Sequence, residues 1–188
     1  MPRPSQKDAI LRAALRCFAT LGYDGARIKH IAAAAGVSEG ALYRHFPSKE
    51  AVAQALFLEH MGAYTSHLLA AMAAEETARG KLAALARVTL WMYHDRPDAM
   101  AFVLIGPRPP VEMPQPYPVD LVADVISYGQ AHGETRAGDP RLLAAMVLGC
   151  ILRPIIIAQA PPQQEVTILD APGAEETLIA GMWGAIQA

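Results

Sequence analysis

The chain has 188 residues, 53% hydrophobic and 6% aromatic, with a formal net charge of −2, enough to bury a sizeable core as one or two domains. Abundant Ala and Leu favour helices over sheets, and no uninterrupted apolar run reaches the roughly 20 residues of a membrane span. Met1 to Lys7 is polar and lacks the apolar centre of a secretory signal, so the sequence reads as cytoplasmic. Cys17 and Cys150 lie far apart in apolar helical patterns and read as buried free thiols. The small net charge hides an asymmetry. Residues 1–49 carry eight Lys/Arg and three acids, whereas residues 50–188 carry eight and fifteen. A basic head on an acidic body points to a polyanion met by the head alone; a solvated basic helix surface is the plain alternative.

In chain order, Ser5 or Asp8 opens a first helix whose buried stripe is Leu11, Ala14, Leu15 and Phe18, and Gly22 stops it. Arg12 and Arg16 fall on another face, as phosphate contacts or as plain surface charge. Ile28, Ile31, Ala32 and Ala35 recur at the spacing of one helix face. Gly36 follows at the position where only glycine takes the left-handed conformation without a Cβ clash. Ser38 is a suitable N-cap for another helix, with Leu42 and Phe46 pointing inward and Glu39, Gly40, Tyr43 and Arg44 outward. Pro47 ends it. A helix, a tight turn and a helix with a polar and aromatic outer face is the helix-turn-helix layout. Arg27, Lys29, Arg44 and Lys49 surround that face as a phosphate backbone requires.

The run Gly22 to Val52, GYDGARIKHIAAAAGVSEGALYRHFPSKEAV, resembles the N-terminal domain of TetR-family transcriptional repressors. The apolar spacing, the A-G-V-S turn, the L-Y-x-H-F recognition helix and the following S-K-E fall in order. The resemblance implies an all-α fold: a three-helix DNA-binding domain over residues 1–47, then a helical ligand-binding and dimerisation domain over residues 48–188. It implies that Tyr43 and Lys49 hold phosphates, and that Gly40, Ala41, Arg44 and His45 approach bases or the adjacent backbone. Physical chemistry agrees: Gly40 lets the helix come close, Ala41 can touch a thymine methyl, and Arg44 can fork onto guanine O6 and N7. Ser38 and Lys29 complete the set. Family members often carry small hydroxyl residues where this chain has Ala26-Arg27, so the local phosphate contact passes to Arg27 itself. Glu39 faces phosphates unless it accepts from a cytosine amino group.

Beyond the head, Ser48 opens a long helix to about Ala74, with Gly62 a weak point within it. Glu75 to Gly80 reads as a break. Lys81 to about His94 forms the next helix, with Leu82, Leu85, Val88, Trp91 and Met92 at helical spacing. Pro97 suits the N1 position of a short helix ending near Ile105. Gly106 to Pro118 holds six prolines and reads as an extended connector, a Pro-rich ligand for another protein being the alternative. Val119 to about His132 resumes a helix, and Gly133 to Asp139 is a turn. Asp139-Pro140 opens an apolar helix through Leu142, Leu143, Met146, Val147, Cys150 and Ile151, which Pro154 must kink or end. Pro161-Pro162 starts a loop that Pro172-Gly173 closes. The last helix runs from about Glu175, with Leu178, Ile179, Met182, Trp183 and Ile186 on one side.

Two apolar stripes in so small a domain call for a four-helix interface between two copies, and Met146, Cys150, Met182 and Trp183 are assigned to it. A ligand pocket is implied by the family resemblance, with Tyr64, His67, Trp91, His94, Met100 and Phe102 as its residues; core packing explains each one singly. Few polar groups stand near these large side chains, so a mostly apolar effector is expected. Glu59, His60, His67 and His94 fit no compact zinc spacing, and neither a metal nor a cofactor is expected. The sequence holds no G-x-S-x-G, P-loop, G-x-G-x-x-G or H-E-x-x-H, so an enzyme is the lesser alternative beside a helical protein-interaction adaptor. The expected partners are double-stranded operator DNA, a small-molecule effector and a second copy of the chain.

Overall fold

The computed structural model describes residues 5–105, 116–159 and 167–188. Ser5 opens α1 (Gln6–Gly25) through a reciprocal cap: its Oγ accepts from the Asp8 N–H at 3.1 Å, and the Asp8 carboxylate accepts from the Ser5 N–H at 3.2 Å. Gly22, at φ +69°, breaks the helical path inside this element and leaves a separate last turn. There follow α2 (Ile28–Ala35), α3 (Glu39–His45), α4 (Lys49–Ala73), α5 (Ala78–Asp95), α6 (Pro97–Ile105), α7 (Pro118–Ala131), α8 (Pro140–Ala158) and α9 (Ala174–Gly184). Among the described residues the extended pairing amounts to one isolated bridge, Thr135 to Gln187. The all-α architecture expected from composition is what forms.

The chain gathers into two compact units: Met1–Met61 with Arg96–Met113, and Gly62–Asp95 with Pro114–Ala188. The sequence divides at Ser48, but α4 is one continuous helix whose first half groups with the head. The head also takes α6. Phe18 of α1 stacks on Phe102 of α6 with ring centroids 5.6 Å apart, and Ile10, Ala14, Ile31, Leu42, Phe46, Val52 and Leu56 complete a core from which water is excluded. That contact makes Phe102, expected in a ligand pocket, a core residue of the head, 6% exposed; Met100, expected beside it, is 2% exposed in the same unit.

In the second unit α7, α8 and α9 pack with α5, around Leu85, Ile126, Val147, Ile151, Met182 and Ile186. Two departures from expectation have local causes. The stretch read as a break to Gly80 contains the start of α5, because the Thr77 Oγ1 accepts from the Gly80 N–H at 3.0 Å and the Glu134 carboxylate accepts from the Ala78 N–H at 2.9 Å. α8 runs through Pro154 to Ala158, and Gln159 N–H still donates to Ile155 O at 3.0 Å. One proline removes one donor, and Ile151 and Ile155, both fully buried on either side, hold the helix against its neighbours. α8 opens as expected, with the Asp139 carboxylate accepting from Arg141 N–H and Leu142 N–H, each at 2.9 Å. Close approach fixes Gly129 in α7: a Cβ there would lie 2.7 Å from Thr135 Cγ2 and 3.0 Å from Ala78 Cβ. Thr135 is itself buried and donates to Ile126 O at 3.1 Å. The Pro-rich connector expected over Gly106 to Pro118 lies outside the described residues up to Gln115, and the loop start at Pro161-Pro162 lies outside them too.

Candidate nucleic-acid interface

The head's motif is built by local rules. Gly36 takes φ +69° and its N–H donates back to α2, so the chain reverses without a Cβ clash. Ser38 Oγ accepts from the Ala41 N–H at 3.1 Å and starts α3. Leu42 and Phe46 are buried, which turns the opposite face of α3 to solvent. Gly40, Arg44 and His45 are exposed there, with Tyr43 50% exposed beside them. Arg27 and Lys29 are exposed at the start of α2. Arg27 N–H donates to His30 Nδ1 at 3.3 Å, which steadies that helix end. His45 Nε2 donates to the Gln6 amide oxygen at 3.0 Å, so the end of α3 is tied to the start of α1. The result is a short helix presenting a guanidinium, a phenol and an imidazole on a rigid base.

Two expected DNA contacts stand elsewhere. Ala41 is 6% exposed and its methyl belongs to the buried side of α3, so it is not on the face that would meet a thymine. Its spacing from Leu42 and Phe46 left its side ambiguous in the sequence. The Lys49 ammonium donates to Tyr23 O at 2.8 Å and Ala26 O at 3.2 Å, and lies 4.2 Å from the centroid of the Tyr23 ring. Sequence reasoning missed Tyr23 and Gln6 because both act on residues more than twenty positions away.

A profile described as "Bacterial regulatory proteins, tetR family" matches residues 10–56, the span of this motif and its supporting helix. Over those residues the chain is similar to the DNA-binding segment of the TetR family. The HTH-type transcriptional repressor AcnR of Corynebacterium efficiens is 42% identical over 55 residues, 29% of this chain and 29% of that protein. The HTH-type transcriptional regulator RutR of Escherichia coli K12 is 50% identical over 48 residues, 26% of this chain and 23% of that one. The chain therefore aligns with less than a third of the length of these curated relatives. The fold likeness extends further: the transcriptional regulator FadR from Bacillus subtilis, solved with stearoyl-CoA, superposes with a TM-score of 0.80 over 96% of this chain and 99% of that one at 21% identity. At that identity the likeness is one of fold alone, an N-terminal helix-turn-helix unit followed by a helical one.

In the rest of the chain the residues expected to bind ligand are dispersed. Tyr64 is buried; its hydroxyl bonds Thr89 Oγ1 at 2.8 Å, Thr89 donates on to Leu85 O at 2.7 Å, and burial pushes the phenol pKa up to about 12. His67 and Trp91 meet edge to face on the surface, with ring centroids 5.1 Å apart. They line an open cleft of about 420 Å³ with Ala70, Ala71, Arg87 and Val88. Trp91 and His94 line a neighbouring cleft of about 350 Å³ that Leu169 and the start of α9 close. Arg87 stands in both clefts but is paired with Glu75 at 3.0 Å. His60 is buried, and burial holds its pKa below the ordinary value. No grouping of three metal-ligating side chains occurs among the described residues.

The residues assigned to the dimer interface also divide. Met146 is 42% exposed on α8, and Cys150 and Trp183 are half-buried. Met182 is fully buried inside its own chain and cannot face a partner. Leu142 and Ile157, 63% and 50% exposed, share the outward side of α8 with Met146. By length and composition α8 could cross a membrane, but Arg141 and Arg153 interrupt it and its other side packs on α7 and α9.

Proposed function

We propose that the chain is a cytoplasmic, ligand-responsive transcriptional repressor that binds a near-palindromic operator as a homodimer and is released by a mostly apolar small molecule. The observation that carries this reading is the outward face of α3, where Arg44, Tyr43 and His45 stand exposed over a buried apolar base within a family-matched segment. Arg44 forks onto a guanine, and Tyr43, Ser38, Arg27 and Lys29 supply or surround phosphate contacts. Residues 1–47 serve DNA and residues 48–188 serve ligand and partner. The apolar outward side of α8 supports the dimer, since Leu142, Met146 and Ile157 remain exposed among the described residues. Two copies related by a two-fold axis then present two recognition helices to two half-sites.

The effector reading rests on the cleft of about 420 Å³ beside Trp91, whose walls are mainly apolar and whose one cation, Arg87, is already paired; the neighbouring cleft adds the polar groups His94, Glu175 and Glu176. FadR was solved with stearoyl-CoA, and an acyl chain is the kind of group these walls suit. Release requires the ligand to favour a form of the body whose heads miss the groove spacing, and operator DNA must then weaken ligand binding by the same factor. Nothing in the sequence motifs supports an enzyme, and a membrane plays no part.

Selection of bound duplexes from a random pool tests the first half. The expected result is one enriched, near-palindromic sequence whose affinity falls steeply with salt; recovery without enrichment would sink it. Titration of fatty acids into the protein–duplex complex, read by Trp91 fluorescence, tests the second. Binding that leaves DNA affinity unchanged would refute the coupling.

A further inference from the structure

The helix-turn-helix segment runs between Ala26 and Lys49, and these two bracketing residues are bonded to each other. Lys49 Nζ donates to Ala26 O at 3.2 Å and to Tyr23 O at 2.8 Å. Both carbonyls close the turn that follows Gly22, where helix ends leave acceptors without partners. The ammonium also rests 4.2 Å from the Tyr23 ring centroid. The Tyr23 hydroxyl donates to Glu50 Oε1 at 3.3 Å, and the Tyr23 ring packs on Phe18 at 5.4 Å. One side chain from the first turn of α4 thus fastens the end of α1 to the entry of α2, and the loop it closes contains both helices of the motif.

An ammonium has three donors and no acceptor. Two of them are committed here, and drawing Nζ out to a phosphate would orphan two carbonyls beside Ala26, which is fully buried. We infer that Lys49 is a positioning residue: it sets the angle at which α3 is presented to the groove and does not spend its charge on a phosphate. This rests on the DNA-binding reading and deepens it. Lys81 offers an internal control. Its ammonium donates to Met72 O at 3.1 Å and to Glu75 O, closing the end of α4 in the body by the same device, far in sequence from the motif.

The test uses the duplex recovered from a random pool by the full-length wild type, together with single-substitution variants of that duplex. Affinities are measured across salt for wild type, Lys49→Met and Lys81→Met. For Lys49→Met the expected result is an unchanged salt slope and about tenfold poorer discrimination between the recovered duplex and its variants. A slope shallower by about 0.9 with discrimination intact makes Lys49 a phosphate contact and overturns the inference. A uniform loss with slope and discrimination both unchanged, as expected for Lys81→Met, reduces Lys49 to a stability role and overturns it too. Should Lys49→Met fail to fold, nitrogen-15 spectra of the wild-type lysine ammonium groups decide. A slowly exchanging Lys49 signal that keeps its shift on adding the duplex supports positioning, and a new coupling to phosphorus overturns it. If wild type enriches no duplex, the DNA-binding reading falls and the inference with it. A slowly exchanging Lys49 signal in the free protein would then still show the fastening itself.

Discussion

The head and the body solve the same problem with opposite surfaces. In the head the apolar side chains of α3 are fully committed inward, and what remains outside is Tyr43, Arg44 and His45. In the body α8 has apolar residues on both sides: Leu143, Val147, Ile151 and Ile155 go inward, and Leu142, Met146 and Ile157 stay out. A polar, cationic remainder is what a polyanion covers, and an apolar remainder is what protein covers. The two lysines make the same point from within. Lys49 and Lys81 both sit early in a helix, and each closes the carbonyl end of an earlier one, α1 for Lys49 and α4 for Lys81, so a positive charge near the motif is not by itself a DNA contact.

The contrast breaks most sharply at Met146. Met146→Glu puts a carboxylate from each copy into the proposed interface, where desolvation costs several kcal/mol and the exposed Arg136 guanidinium, 3.8 Å from Met146 Sδ, offsets only part of that cost. Association should weaken by about 3 kcal/mol or more, roughly a hundredfold, and sedimentation at micromolar concentration should show monomers with poor operator affinity. Unchanged dimers would move the interface off α8. Next in size is Arg44→Ala, which should cost about 1–3 kcal/mol on the preferred duplex and relax base preference at one position of each half-site, read by binding to substituted duplexes. A loss equal across all duplexes would make Arg44 a backbone contact instead.

The smallest expected effect lies inside the head. His60 is buried with Nδ1 lacking a hydrogen-bond partner; burial depresses its pKa, with Arg96 adding to the depression and Glu59 opposing it. Its folded value lies below the unfolded one, near 6.5. The stability it permits is therefore whole above pH 6.5 and is lost as pH falls from there toward the folded value. Thermal melts of wild type should fall over that window, and His60→Leu should flatten the fall. Parallel melts of the two proteins would show that other groups set the acid limit.

The sequence made the motif readable because its rules are local. Gly36, Ser38, Leu42 and Phe46 each act within one turn, and each stands where spacing placed it. Lys49 did not yield, since the carbonyls it binds come from residues 23 and 26 and no pattern near Lys49 announces them. Met182 and Trp183 sit on one apolar stripe, and periodicity alone could not say that Met182 is covered by its own chain while Trp183 is only half covered. Phe102 falls within residues 48–188 and is expected in the pocket that the resemblance implies, whereas its ring partner is Phe18 in α1. The apolar pattern of α8 was plain, but whether Pro154 ended it depended on the packing of Ile151 and Ile155.

Gly129 has a consequence for genetics. The slot between Thr135 and Ala78 admits a hydrogen and nothing larger, and both neighbours are buried, so Gly129→Ala must displace the buried Thr135 side chain and press on the start of α5. Such a lesion is tolerated in the cold and fails when warmed, since small overpacking penalties of about 1–3 kcal/mol matter most near the melting point. A strain carrying it would derepress the regulated genes above a threshold temperature and repress them again on cooling. It would act as a reversible switch at a residue that neither belongs to α3 nor lines the clefts beside Trp91.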